Sequence, residues 1–207
     1  MIVSPNQLTM LRMALVPFLA VCLVYDKIGT AILIFIAAGI TDMLDGLIAR
    51  HYGQQTTLGI FLDPIADKLL LATSFTLLSL QGLDLEVRIP LWLTISVISR
   101  DVLLVLGVLV FNLTIGNKAF PPSWLGKSTT VVQLLLIMMV LVSNYLGEKI
   151  AFIDLVSYAT LILTISSGTH YMIQGMRIST QDGEQSKEYG LRRRSRTNAA
   201  CMYPPPQ

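Results

Sequence analysis

DMLDGLIARHYGQQTTLGIFLDPIAD, running from Asp42 to Asp67, decides how this chain is read. Four carboxylates and an arginine sit in sequence that is otherwise apolar enough to enter lipid. A charged group at bilayer depth costs roughly 2.5 kcal/mol or more on insertion scales, so these acids need cationic partners. Helical periodicity of about 100° per residue puts Asp42, Asp45 and Ala49 on one face of a helix. Asp63 and Asp67, four apart, share a face of the next helix, with Gly59 one turn earlier. A connection of only about eight residues makes the two helices antiparallel neighbours, so their carboxylate faces can meet. Acids brought that close require a counter-charge. An all-oxygen ligand set without His or Cys suits one or two Mg2+ or Mn2+ ions better than zinc.

The rest of the chain fits this reading. Of 207 residues, 53% are hydrophobic and 14% charged, with a mean hydropathy of +0.64, whereas soluble domains carry about 25% charged residues. An integral membrane protein is expected. At about 20 apolar residues per crossing there is room for roughly six helices. The predicted fold is an all-α bundle of six transmembrane helices with an N-terminal interfacial segment. The spans are Leu8 to Val24, Ile28 to Arg50, Leu58 to Leu80, Ile89 to Leu113, Trp124 to Leu146 and Ile150 to Met176. With Arg12 near its start and Pro17 inside it, the first span can be either one rod or an interfacial helix followed by a kinked span.

Arg12, Arg50, Lys118, Lys127, Arg177 and the run Arg192, Arg193, Arg194, Arg196 gather on one side, which places both termini and the acids in the cytosol. The membrane domain is expected over 1–178, and 179–207 reads as a disordered basic tail. A net charge of +2 without a broad basic patch argues against nucleic acid. Two cysteines, Cys22 and Cys201, support neither a disulfide framework nor a thiolate metal site. The start, MIVSPNQLTMLRM, lacks the features of a cleaved signal.

Gly46, Ala49 and Gly59 leave backbone uncovered beside the acids, which suits a flat or phosphate-bearing ligand; close helix packing uses the same small residues. Arg50 at the water edge can clamp a phosphate or simply snorkel.

Asp42, Asp45, Gly46, Ala49, Arg50, Gly59, Asp63 and Asp67 match without a gap the signature D-x-x-D-G-x-x-A-R-x8-G-x3-D-x3-D, and on these residues the chain resembles the CDP-alcohol phosphatidyltransferases. The resemblance extends from PNQLTMLR through LDPIADK and ISRD to WLGK and the last span. It implies a six-helix, dimeric membrane enzyme that transfers a phosphatidyl group from CDP-diacylglycerol to an alcohol and releases CMP. It further implies metal binding by Asp42, Asp45 and Asp63, with Asp67 as the base that also touches metal. CDP-diacylglycerol would lie on Asp42, Asp45, Gly46, Ala49, Arg50 and Gly59.

An acceptor bearing a phosphate needs cations near the acids, and the candidates are Arg100 and Lys127, both expected to face inward at bilayer depth. IPLWLTISVISRD and SWLGK resemble the branch containing phosphatidylglycerophosphate synthases and CMP-forming cardiolipin synthases. Glycerol 3-phosphate is the expected acceptor and phosphatidylglycerol the alternative, the latter favoured by Thr129 where a second basic residue is common. A bacterial inner membrane is the expected location. An ion-coupled transporter is the distant alternative, but its ionisable groups would sit near the midplane on broken helices. His51 and His170 are isolated, with no zinc-protease or nucleotide-loop motif around them.

Overall fold

The computed structural model describes residues 5–52, 57–115, 124–171 and 173, with side chains described over 9–43, 65–107, 124, 126–171 and 173. Among these residues the chain is all helix and turn. The helices are α1 (Pro5–Val24), α2 (Ile28–Tyr52), α3 (Thr57–Ser79), α4 (Leu91–Ile115), α5 (Trp124–Leu146) and α6 (153–171). The expected tail 179–207 lies outside the described residues. The chain divides into two units, Met1–Ser166 and Ser167–Gln207. In the second, residues 167–171 are helical, and the rings of His170 and Tyr171 meet edge-on at 6.2 Å.

The first span is one continuous helix. Pro5 opens α1, where its missing N–H costs nothing, and Pro17 is accommodated inside the same helix. An interfacial helix followed by a separate span is therefore corrected to a single element. Its end is a Schellman cap: Asp26 takes a positive φ of 55°, Lys27 N–H donates to the Cys22 carbonyl at 2.8 Å, and Asp26 N–H donates to Leu23 at 3.3 Å. The same closure ends α5, with Gly147 at φ 69° and Glu148 N–H reaching the Ser143 carbonyl at 3.2 Å.

In the first unit, α1 packs on α2 and α3, α5 packs on the same two helices, and α4 packs on α3. Away from the acids, Leu19, Leu23, Phe35, Phe75, Leu78, Leu93, Leu136 and Leu141 form a dry core. The loop between α3 and α4 is pinned to α5 by Asn144, whose Oδ1 accepts from Val87 N–H at 3.0 Å and whose Nδ2 donates to Val87 O at 2.8 Å. Trp92 of α4 stacks on Tyr158 of α6 with ring centroids 6.0 Å apart.

The core is apolar, but polar side chains are buried beside it and large apolar side chains cover much of the outer surface. Thr9, Arg12, Ser74, Thr94, Arg100, Thr129, Gln133, Ser157, Thr160 and Thr164 are buried, while Phe18, Leu33, Ile95, Val131 and Ile162 are exposed. Buried hydroxyls are satisfied by their own helices: Ser74 donates to Leu70 O, Ser157 to Ile153 O, Thr160 to Val156 O and Thr164 to Thr160 O. Among the described residues one stretch, Gly126–Leu146, is by length and composition apolar enough to cross a membrane; Thr9–Val24 and Ile28–Met43 are shorter apolar helices.

Candidate active site

The geometry is organised by a residue whose role the sequence did not disclose. Among the described residues Arg12 is the largest fully buried side chain, 1% exposed. Its Nη1 lies 2.5 Å from Asp67 Oδ1 and its Nη2 lies 3.0 Å from Asp42 Oδ1. One planar guanidinium thus bridges a carboxylate from α2 and one from α3, the fork geometry for which arginine is suited. Among the described residues α2 and α3 do not pack directly on each other; both pack on α1, and Asp42 and Asp67 are brought together through its Arg12. Their protein counter-charge is Arg12, which the sequence presents only as one basic residue among those marking the cytosolic side.

Asp42 and Asp67 remain 52% and 40% exposed at their side chains. The donor set is carboxylate oxygen, suited to a hard divalent cation. The helices carry Asp45, Gly46, Ala49 and Arg50 in α2 and Gly59 and Asp63 in α3. Those six side chains lie outside the described ones.

A second charged group lies at the same depth. Asp101 Oδ1 accepts from Lys68 Nζ of α3 and from Arg100 Nη1 of its own helix, each at 2.7 Å. Thr94 of α4 donates to Phe75 O of α3, and this contact and Lys68–Asp101 fit one antiparallel register. Lys68 directly follows Asp67, so the pair is held level with the Arg12 cluster. Arg100 is buried, as expected for an inward cation, and is anchored by Asp101.

Lys127 differs from its expectation: it is exposed rather than inward-facing. The buried stripe of α5 runs through Thr129, Gln133, Leu136, Ile137 and Val140, which leaves Lys127 on the opposite face. Thr129 is fully buried, and its Oγ1 donates to Leu163 O of α6 at 3.3 Å. Lys68, Asp101 and Gln133 were not singled out from the sequence as site residues. Lys68 and Asp101 lie within LDPIADK and ISRD, and charge inside an apolar helix was the signal that could have marked them.

An all-helical bundle that carries this eight-position signature on two successive helices defines a phosphatidyl-transferring enzyme. The chain belongs to the CDP-alcohol phosphatidyltransferase family, whose model matches residues 2–167. It is 35% identical over 179 residues, covering 83% of this chain and 81% of the relative, to a Mycobacterium tuberculosis protein described as a probable phosphatidylglycerophosphate synthase. It is 36% identical over 149 residues to the human CMP-forming cardiolipin synthase, covering 64% of this chain and 48% of the human protein. A Schizosaccharomyces pombe fusion of CMP-forming cardiolipin synthase with a mitochondrial hydrolase is 33% identical over 187 residues, which is 82% of this chain and 30% of the fusion. The protein is therefore an enzyme of phospholipid biosynthesis, in a membrane-associated family that generally uses a divalent metal.

Proposed function

We propose that the chain transfers the phosphatidyl group of CDP-diacylglycerol to the terminal hydroxyl of glycerol 3-phosphate, giving phosphatidylglycerophosphate and CMP. The hydroxyl oxygen bonds to the lipid-side phosphorus, its proton passes to Asp67, and the pyrophosphate P–O bond breaks so that CMP leaves with the electron pair. The observation that carries this reading is the charged layer in which Arg12 holds Asp42 beside Asp67, level with the buried Arg100. Asp42, Asp45, Asp63 and Asp67 would hold one or two Mg2+ or Mn2+ ions. A bound cation there neutralises charge on the pyrophosphate.

Gly46, Ala49, Arg50 and Gly59 are assigned to the nucleotide and its phosphates, and Arg100 and Lys127 to the acceptor phosphate. Arg100 meets that phosphate from inside the bundle, with Asp101 fixing its guanidinium; Lys127, exposed on α5, could take part only where the site opens to solvent. Six membrane crossings with both termini cytosolic in a bacterial inner membrane, a homodimer, and a catalytic domain 1–178 followed by the basic tail 179–207 complete the proposal. Support for the crossings comes from the apolar outer surface of the bundle, since large apolar side chains that face outward in this number suit lipid. The Arg12 pairing lowers the cost of carrying acids in such helices.

Phosphatidylglycerol is the second reading of the acceptor. The observation behind it is Thr129: a buried hydroxyl bonded to α6 offers no second cation for a phosphate monoester. CMP release from CDP-diacylglycerol, measured in parallel with labelled glycerol 3-phosphate and with phosphatidylglycerol after metal removal and restoration, tests the whole assignment. Product from phosphatidylglycerol alone would overturn the preferred acceptor, and metal-independent release would overturn the metal site.

A further inference from the structure

Gln133 is fully buried, and among the described residues neither of its amide atoms, Oε1 and Nε2, has a hydrogen-bond partner. A buried amide normally finds partners, because leaving both ends unmade forfeits the hydration they had in water. The nearby hydroxyls of α6 do not supply them: Thr160 and Thr164 donate to carbonyls of their own helix. An apolar side chain would fill this position at lower cost, so the amide calls for a ligand.

The level of Gln133 is fixed by contacts at both ends of α5. The Gly29 backbone lies against the Tyr145 ring, where a Cβ would sit 3.1 Å from Cε2. Counting equally along the two antiparallel helices from that contact brings Gln133 level with Thr41 and Asp42. The Thr129 bond to Leu163 O, counted in the same way, brings it level with Ala159, next to Thr160. Gln133 also lies on the buried stripe of α5, the helix that packs against α2 and α3, which bear Asp42 and Asp67. It therefore points into the bundle at the depth of the acids.

We infer that the Gln133 carboxamide binds the acceptor alcohol, with Oε1 accepting the hydrogen of its middle, non-reacting hydroxyl and Nε2 donating to the phosphate-ester oxygen on the adjacent carbon. This rests on the transferase reading above. Glycerol 3-phosphate and the head group of phosphatidylglycerol both present that hydroxyl beside an ester oxygen, so the contact serves either acceptor. An amide offers one donor and one acceptor in a fixed plane, which matches this pair of atoms and leaves the terminal hydroxyl free to lose its proton.

The test compares glycerol 3-phosphate with 3-hydroxypropyl phosphate, which keeps the terminal hydroxyl and the phosphate and lacks only the middle hydroxyl. Phosphatidylglycerol and phosphatidylpropanediol form the parallel pair, so the outcome does not depend on which acceptor is natural. The wild-type enzyme should use the deoxy acceptor about tenfold less well or worse in kcat/KM, the scale of one buried hydrogen bond left unmade. Gln133→Leu should lower kcat/KM for the hydroxylated acceptor by a similar factor, abolish the discrimination, and leave the KM for CDP-diacylglycerol unchanged. Its Tm should be no lower than that of wild type. Equal use of both acceptors by the wild type would overturn the inference even if the variant proved unstable. So would a loss in Gln133→Leu that is the same for both acceptors, which is what a purely structural role predicts. Absence of CMP release with every acceptor would refute the transferase reading itself, and this inference with it.

Discussion

Replacing Arg12 with Met removes the guanidinium and keeps most of the side-chain volume. It leaves Asp42 and Asp67 facing each other across α2 and α3 without the group that bridges them. Breaking a fully buried ion pair by removing one partner costs about 3–5 kcal/mol. Here the arginine side chain is 1% exposed but the carboxylates are 52% and 40% exposed, so water recovers part of the loss. A destabilisation of about 2 kcal/mol follows. For a chain of this length that is a fall in Tm of about 4–8 °C. Thermal unfolding in detergent reads the stability, and CMP release should fall at least tenfold because the two acids are no longer held together. Arg12→Lys keeps one charge without the fork and should lie between. In the double variant Arg12→Met with Asp42→Asn, the second change should cost less than it does alone, because the contact is already gone. An Arg12→Met protein as stable and as active as wild type, or strict additivity in that cycle, would refute the bridging role.

Asp42→Asn, Asp45→Asn and Asp63→Asn should each weaken the stabilisation that added Mg2+ or Mn2+ gives in thermal unfolding and remove most CMP release; near wild-type activity in two of them would exclude the metal assignment. Asp67→Asn should lower kcat by about 10²–10⁴-fold while CDP-diacylglycerol still binds, whereas an equal loss of binding would identify a metal ligand rather than a base. Lys127→Ala should raise the acceptor KM about tenfold and leave that for CDP-diacylglycerol unchanged, the scale of one charge-assisted hydrogen bond. At the opposite end of the bundle, Asn144→Leu removes both bonds to Val87 and should cost about 1–3 kcal/mol, read as a lower Tm with unchanged activity per folded molecule.

What the sequence by itself determined is what lies within reach of one helix or one short connection. All six predicted helical stretches correspond to α1 through α6, and the spacing of the acids along α2 and α3 follows from the sequence. The eight-position signature is local in the same sense, and so is the family it marks. Tertiary structure alone decided the pairings between distant positions. Arg12 meets Asp67 across 55 residues, Lys68 meets Asp101 across 33, and Asn144 clasps Val87 across 57. Periodicity assigns a residue to a face but does not say which neighbour that face meets, nor how deep a long side chain is drawn in. Arg12 near a helix start therefore reads as a surface charge until α2 and α3 close around it. Lys127 reads as an inward cation until the packing of α5 turns Thr129 and Gln133 to the interior and leaves the lysine outside. The orphaned amide of Gln133 is likewise a property of the packed bundle, since a glutamine in an apolar run has unmet bonds only once the surrounding helices have excluded water.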